Sequence, residues 1–152
     1  MKNTQWIKSL ERAHRVEKEI LKWVHQDVGK KAQIIEGLSS EYDIECEELG
    51  NIEVKEDRQA HQTGNYAFDY EDALGKPCGI AITKAKIFVL VDWEYVIFIP
   101  TESLKFLIGS SKFKKDIKMG WKRKTKGWLI PRTTILNSPF ADVKKRWFPI
   151  YK

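Results

Sequence analysis

Asp43, Glu53 and Lys55 fall within residues 42–57, Tyr-Asp-Ile-Glu-Cys-Glu-Glu-Leu-Gly-Asn-Ile-Glu-Val-Lys-Glu-Asp, and their types suit metal-assisted hydrolysis. Two carboxylates can share a hard divalent cation, which prefers oxygen ligands and keeps some of its waters. A lysine beside them can orient the attacking water or neutralise charge on a phosphate oxygen, while the cation acidifies the water. That chemistry requires all three side chains on one face of adjoining strands.

Side chains alternate along a strand. Tyr42, Ile44 and Cys46 therefore share one face, with Asp43, Glu45 and Glu47 on the other. On the next strand Ile52 and Val54 oppose Asn51, Glu53 and Lys55. A three-residue loop over 48–50, with Gly50 left-handed, predicts Glu47 opposite Asn51, Glu45 opposite Glu53, and Asp43 opposite Lys55. This register gathers the apolar residues on one side, whereas a two-residue loop mixes the two sets. Asp43 and Glu53 then become diagonal neighbours, roughly 7–8 Å apart at the backbone. Alternating charges also describe an ordinary solvated face. Acids facing an acid are less ordinary, because like charges directly opposite destabilise a sheet unless something positive compensates them.

Asp43, nine intervening residues and then Glu53-Val54-Lys55 resembles the D-(x)n-E-x-K signature of the PD-(D/E)XK nucleases. This restriction-endonuclease-like superfamily includes Holliday-junction resolvases and many phage nucleases. The resemblance implies an αβββαβ core: a helix, a meander of three strands, a helix and a further strand. It also implies a Mg²⁺ or Mn²⁺ ion held by Asp43 and Glu53, with Lys55 assisting the water and a glutamate from the first helix supporting the ion. Tyr42 stands where many members have proline. The turn Thr63-Gly64-Asn65 followed by Tyr66, Phe68 and Tyr70 on alternate positions looks like the phage-type members.

Residues 4–26 read as an amphipathic helix, with Trp6, Leu10, Ala13, Ile20, Leu21 and Val24 at helical spacing. Glu17, four after Ala13 and three before Ile20, falls within the inward stripe and is the choice for the supporting carboxylate. Glu11 and Glu19 lie toward the polar side and stay open as alternatives. An acid on a buried face needs a partner or an ion; the bland partner would be Lys18 or Lys22. Glu45 is an additional candidate ligand, and Gln62, Thr63 and Asn65 are candidates for contact with the scissile strand or for the surround of the site.

The elements that must position these residues make an α/β (α+β) single domain over 1–152, a central mixed sheet flanked by helices. Residues 86–91 and 95–100 read as a hairpin around Asp92-Trp93-Glu94. Residues 79–85 read as a short helix or connector. Thr101 reads as the cap of a helix over 102–108. From 112 to 152 the chain turns basic. Lys114, Lys115, Lys118, Lys122, Arg123, Lys124 and Lys126, interleaved with Phe113, Trp121 and Trp128, suit phosphate neutralisation and base stacking. Lys144-Lys145-Arg146-Trp147 forms a second basic cluster.

Lysine and arginine total 27 against 21 acids, a formal charge of +6 that favours a polyanionic partner such as DNA. Cys46 and Cys78 offer neither metal spacing nor a disulfide framework, and Cys46 reads as a small core residue. His14, His25 and His61 are too scattered for zinc hydrolysis or a Ser-His catalyst. No run is long enough for a membrane span, no secretory leader is apparent, and no nucleotide-cofactor motif is present. A DNA endonuclease working inside the cell, as a monomer or a homodimer, is the expected function. The alternative is a catalytically inactive nucleic-acid-binding module on the same fold.

Overall fold

Val16, Ile20 and Val24 recur every four residues along α1 (Asn3–Asp27) and are sealed from solvent. A helix with one apolar line must lay it against another layer. The computed structural model describes residues 3–35, 42–110, 117–119 and 125–152. Within them the expected stripe is found only in the second half of α1. Leu10 is 37% exposed, Ala13 is also exposed, and Ile7 faces solvent; the side chain of Trp6 lies outside the described residues.

The chain continues through an antiparallel meander of β1 (Gln33–Ile34), β2 (Ile44–Glu45) and β3 (Ile52–Glu56). Then come α2 (Ala60–Thr63), β4 (Asn65–Glu71), a 3-10 turn (Gly79–Ala81) and β5 (Ile87–Val91), which lies parallel to β3. Parallel neighbours need a crossover. Here α2, β4 and the 3-10 turn supply it, in place of one long helix. β6 (Tyr95–Pro100) returns antiparallel to β5, and α3 (Thr101–Ser110) follows. The chain closes with β7 (Ile117–Met119), β8 (Thr125–Pro131), α4 (Arg132–Leu136) and β9 (Asp142–Lys145).

The strands form a six-stranded mixed sheet in the order β1-β2-β3-β5-β6-β9 and a smaller sheet β4-β8-β7. The domain is thus α+β with a mixed central sheet, as expected. The aromatic strand after the hairpin, β4, lies in the smaller sheet. Thr101 also departs from expectation. It belongs to α3 itself, and its buried hydroxyl has no hydrogen-bond partner, so it caps nothing.

β5 and β6 are buried on both faces, which explains their nearly continuous apolar runs. On one face Val89, Val91 and Val96 pack with Ile44, Ile52, Phe148 and the buried line of α1. On the other, Phe88, Leu90, Ile97 and Ile99 pack with Tyr66 and Phe68 of β4, Leu104 and Ile108 of α3, and Ile130 and Ile135. Register pairs Glu53 with Phe88 and Lys55 with Leu90, so both polar residues of β3 lie on this second face.

Asp92 ties the layers together. Fully buried, its carboxylate accepts the Tyr66 hydroxyl at 2.6 Å, Arg132 Nε at 2.9 Å and the N–H groups of Glu94 and Tyr95. Burial alone would raise its pKa; Arg132, Tyr66 and the backbone donors override that and hold it below the usual value. In the second basic cluster, Arg146 bonds the carbonyls of Asp92, Phe148 and Pro149, and Lys144 lies over the Trp23 ring. Those two residues hold the C-terminal segment rather than presenting a free basic face.

Candidate active site

The hairpin keeps the expected separation of faces but closes two residues out of the expected register. Ile44 pairs with Ile52 rather than Val54. The cause is the turn. Cys46 N–H donates to Asn51 Oδ1, and Leu49 N–H to Cys46 Sγ, so side chains close a loop longer than three residues. Gly50 does take the left-handed conformation, at φ +84°. Because side chains repeat every two residues, a two-residue slip leaves every side chain on its own face.

The β2–β3 pairing is confined to Ile44↔Ile52, and Asp43 stands just before it. Its backbone is held on both sides, N–H to Ile52 O at 2.9 Å and O from Ile35 N–H at 2.9 Å. Its Oδ2 accepts the Val54 N–H at 2.7 Å. The carboxylate therefore takes up a donor on β3 that lies between Glu53 and Lys55. Glu53 Oε2 accepts the Thr83 hydroxyl at 3.0 Å, and Lys55 Nζ sits 5.7 Å from the centre of the Phe68 ring.

Glu17 reaches the same locality from α1. Its carboxyl is pushed up to about 7, first by burial and then by the charge on Asp43. Glu53 is likewise pushed up to about 7 by burial and by Asp43, with Asp69 adding to the rise and Thr83 and Lys55 opposing it. Burial raises Asp43 too, against the Val54 N–H and nearby His14. Asp43 thus repels both Glu17 and Glu53, and all three carboxyls are raised first by burial, which marks a site short of positive charge. Of the first-helix alternatives, Glu19 is taken by Lys22 at 3.1 Å and the Tyr151 hydroxyl at 3.2 Å, and Glu11 is exposed. Glu17 pairs with neither expected lysine; its partner is His14 Nδ1 at 3.4 Å.

The other expected residues go elsewhere. Glu45 is not opposite Glu53: it pairs with Gln33, whose Nε2 donates to it at 3.2 Å on the exposed edge. Gln62 is exposed on α2 and lines a groove with Arg12, Arg58 and Trp93. Asn65 and Thr63 bond to each other at the entry to β4. Lys126 is 3.8 Å from Glu71. Lys114, Lys115, Lys122, Arg123 and Lys124 lie outside the described residues, as does the side chain of Lys118.

Sequence reasoning missed three neighbours: Thr83 and Asp69 beside Glu53, and His14 beside Glu17 and Asp43. Asp69 alternates with aromatics on β4, which marks a strand but not its neighbour. It is locked by the Cys78 thiol at 3.5 Å and by Gly79, where a Cβ would strike the Asp69 carbonyl oxygen.

Among the described residues no three His, Cys, Asp or Glu side chains form a ready cage for a metal ion. The donor set nonetheless fits a hard cation. Mg²⁺ commonly uses only one or two carboxylates, keeping waters and adding substrate phosphate oxygens. His14 and Lys55 offset the raised carboxyls only in part, and a divalent ion would supply further positive charge. No described helix is long and apolar enough to cross a membrane. Comparison with protein-family models, curated proteins and solved structures gave no significant match.

Proposed function

We propose that this protein is a divalent-cation-dependent nuclease that hydrolyses phosphodiester bonds in DNA, of the PD-(D/E)XK type. The observation that carries the reading is the Asp43–Val54 hydrogen bond. It brings a carboxylate from the hairpin's first arm onto β3, electrostatically coupled to both Glu17 and Glu53, with Lys55 two residues along the same face. Asp43 and Glu53 would hold Mg²⁺ or Mn²⁺, with Glu17 supporting the ion or its waters. When bound, such an ion polarises a phosphate oxygen and lowers the pKa of a bound water.

The protein's own groups do the rest. The Lys55 ammonium donates to the attacking water or to a non-bridging phosphate oxygen, offsetting the charge that develops as the water oxygen bonds phosphorus. The ester P–O bond breaks, and the proton lost by water ends on the leaving oxygen. Val54 N–H and the Thr83 hydroxyl fix the orientation of the two carboxylates, so little reorganisation accompanies the reaction. Phe68 beneath Lys55 confines the ammonium to the site.

Linear, branched and single-stranded DNAs incubated with Mn²⁺ or Mg²⁺ test the reading. Cleavage is expected in the wild type and is expected to vanish in Glu53→Gln and Lys55→Ala, with DNA binding largely retained. Salt-sensitive binding without cleavage on every substrate and cation would instead support the inactive binding module.

A further inference from the structure

A groove of about 510 Å³ opens at the Pro100 end of β6, between the connector after the 3-10 turn and the start of α3. Its walls include Thr83, Lys84, Lys86, Thr101, Glu102 and Lys105. Lys86 and Lys105 line it with one carboxylate, Glu102, and the N-terminus of the ten-residue α3 adds its own partial positive charge.

Thr101 supplies an independent observation. It is 3% exposed, and its Oγ1 is a buried hydroxyl with no hydrogen-bond partner. A buried polar group left unsatisfied costs stability, and such groups in native proteins call for a reason. Lys105 stands four residues on, on the same side of the helix as Thr101. The stem of Lys86 is seated against Gly50, where a Cβ would come within 2.7 Å of it. Thr83 links the groove to the carboxylates, because its hydroxyl donates to Glu53 Oε2.

We propose that this groove is a phosphate subsite, seating a backbone phosphate of bound nucleic acid beside the phosphodiester held at the carboxylates. Lys86 and Lys105 supply the charge, and the Thr101 hydroxyl supplies a donor. That hydroxyl is covered, so an arriving phosphate reaches it only by displacing the atoms over it. Glu102 opposes the anion and limits its affinity. The inference rests on the nucleic-acid half of the proposed function, not on its chemistry.

The test is anisotropy of labelled duplex DNA against the full chain in EDTA, over a series of salt concentrations. Lys86→Gln/Lys105→Gln is expected to weaken binding and reduce the slope of log affinity against log salt by about two. Lys145→Gln, at the opposite, Tyr95 end of β6, serves as the control for general charge loss. Thr101→Val is expected to weaken binding about five- to tenfold, the worth of one charge-assisted hydrogen bond, while leaving Tm equal or higher. Glu102→Gln is expected to tighten binding. A double variant whose slope matches that of Lys145→Gln, Thr101→Val binding like wild type, or a wild type that binds no DNA overturns the subsite. Cleavage is read separately with Mn²⁺: normal slopes without cutting end the nuclease reading alone, and cutting with unchanged slopes ends the subsite alone.

Discussion

Replacing Glu53 by glutamine is expected to stabilise the protein at pH 8 and to change little at pH 4. The carboxyl titrates near 7 in the folded protein against an ordinary 4.5. Below 4.5 it is protonated whether folded or unfolded, and its neutral form carries no penalty. As the pH rises through 7 the folded protein must hold a charge that burial and Asp43 disfavour, so stability is lost across that window. The interval from 4.5 to about 7, at about 1.4 kcal/mol per pH unit, sets a ceiling of roughly 3.5 kcal/mol. Coupling to Asp43 and residual hydration reduce the expected gain to ~1–2 kcal/mol. For a chain of this size that is a rise in Tm of about 3–6 °C. Glutamine keeps an oxygen for the Thr83 hydroxyl, so the substitution isolates the charge. Thermal unfolding of both proteins at pH 4, 6 and 8 in EDTA is the assay. A variant less stable than wild type at pH 8, or a difference that does not grow with pH, would refute the reasoning. Glu17→Gln should behave with the same sign.

Three further outcomes follow from the packing and the charges. Adding Mg²⁺ at pH 8 should raise the Tm of the wild type more than that of Glu53→Gln, as ligand binding to the folded state alone requires; differential scanning fluorimetry reads this directly. Asp92→Ala should cost ~3–5 kcal/mol in urea unfolding, because it strands Arg132 and the Tyr66 hydroxyl against the core. Gly79→Ala should cost roughly 1–3 kcal/mol by the same assay, since φ is +52° and the new methyl group would strike the Asp69 carbonyl.

The helix, the hairpin and the two arms that carry Asp43, Glu53 and Lys55 were legible because each has a periodicity of its own. Parity survived a wrong loop length, since a slip of two residues returns every side chain to its face. The finer register was not legible. It depends on the Cys46 and Asn51 side chains replacing backbone pairs, which no hydropathy pattern encodes. The two-residue β1 is too short to show alternation. The placement of β4 was equally hidden: Tyr66 and Phe68 announce a buried face but not which sheet it covers. On α1 the phase was legible only in part: Glu17 follows buried Val16, but Ala13, which helped to define the stripe, is exposed. Thr83, by contrast, reaches Glu53 from a connector thirty residues away, with no spacing to reveal it.

Titration of Mn²⁺ into the metal-free protein, followed by calorimetry or by the signal of free Mn²⁺, bears most directly on whether the carboxylates converge. One site per chain is expected, weakened roughly tenfold or more by Asp43→Asn and by Glu53→Gln, and to a lesser degree by Glu17→Gln. A wild type that binds no Mn²⁺ in the presence or absence of DNA, or variants that bind it as tightly as the wild type, would contradict the account.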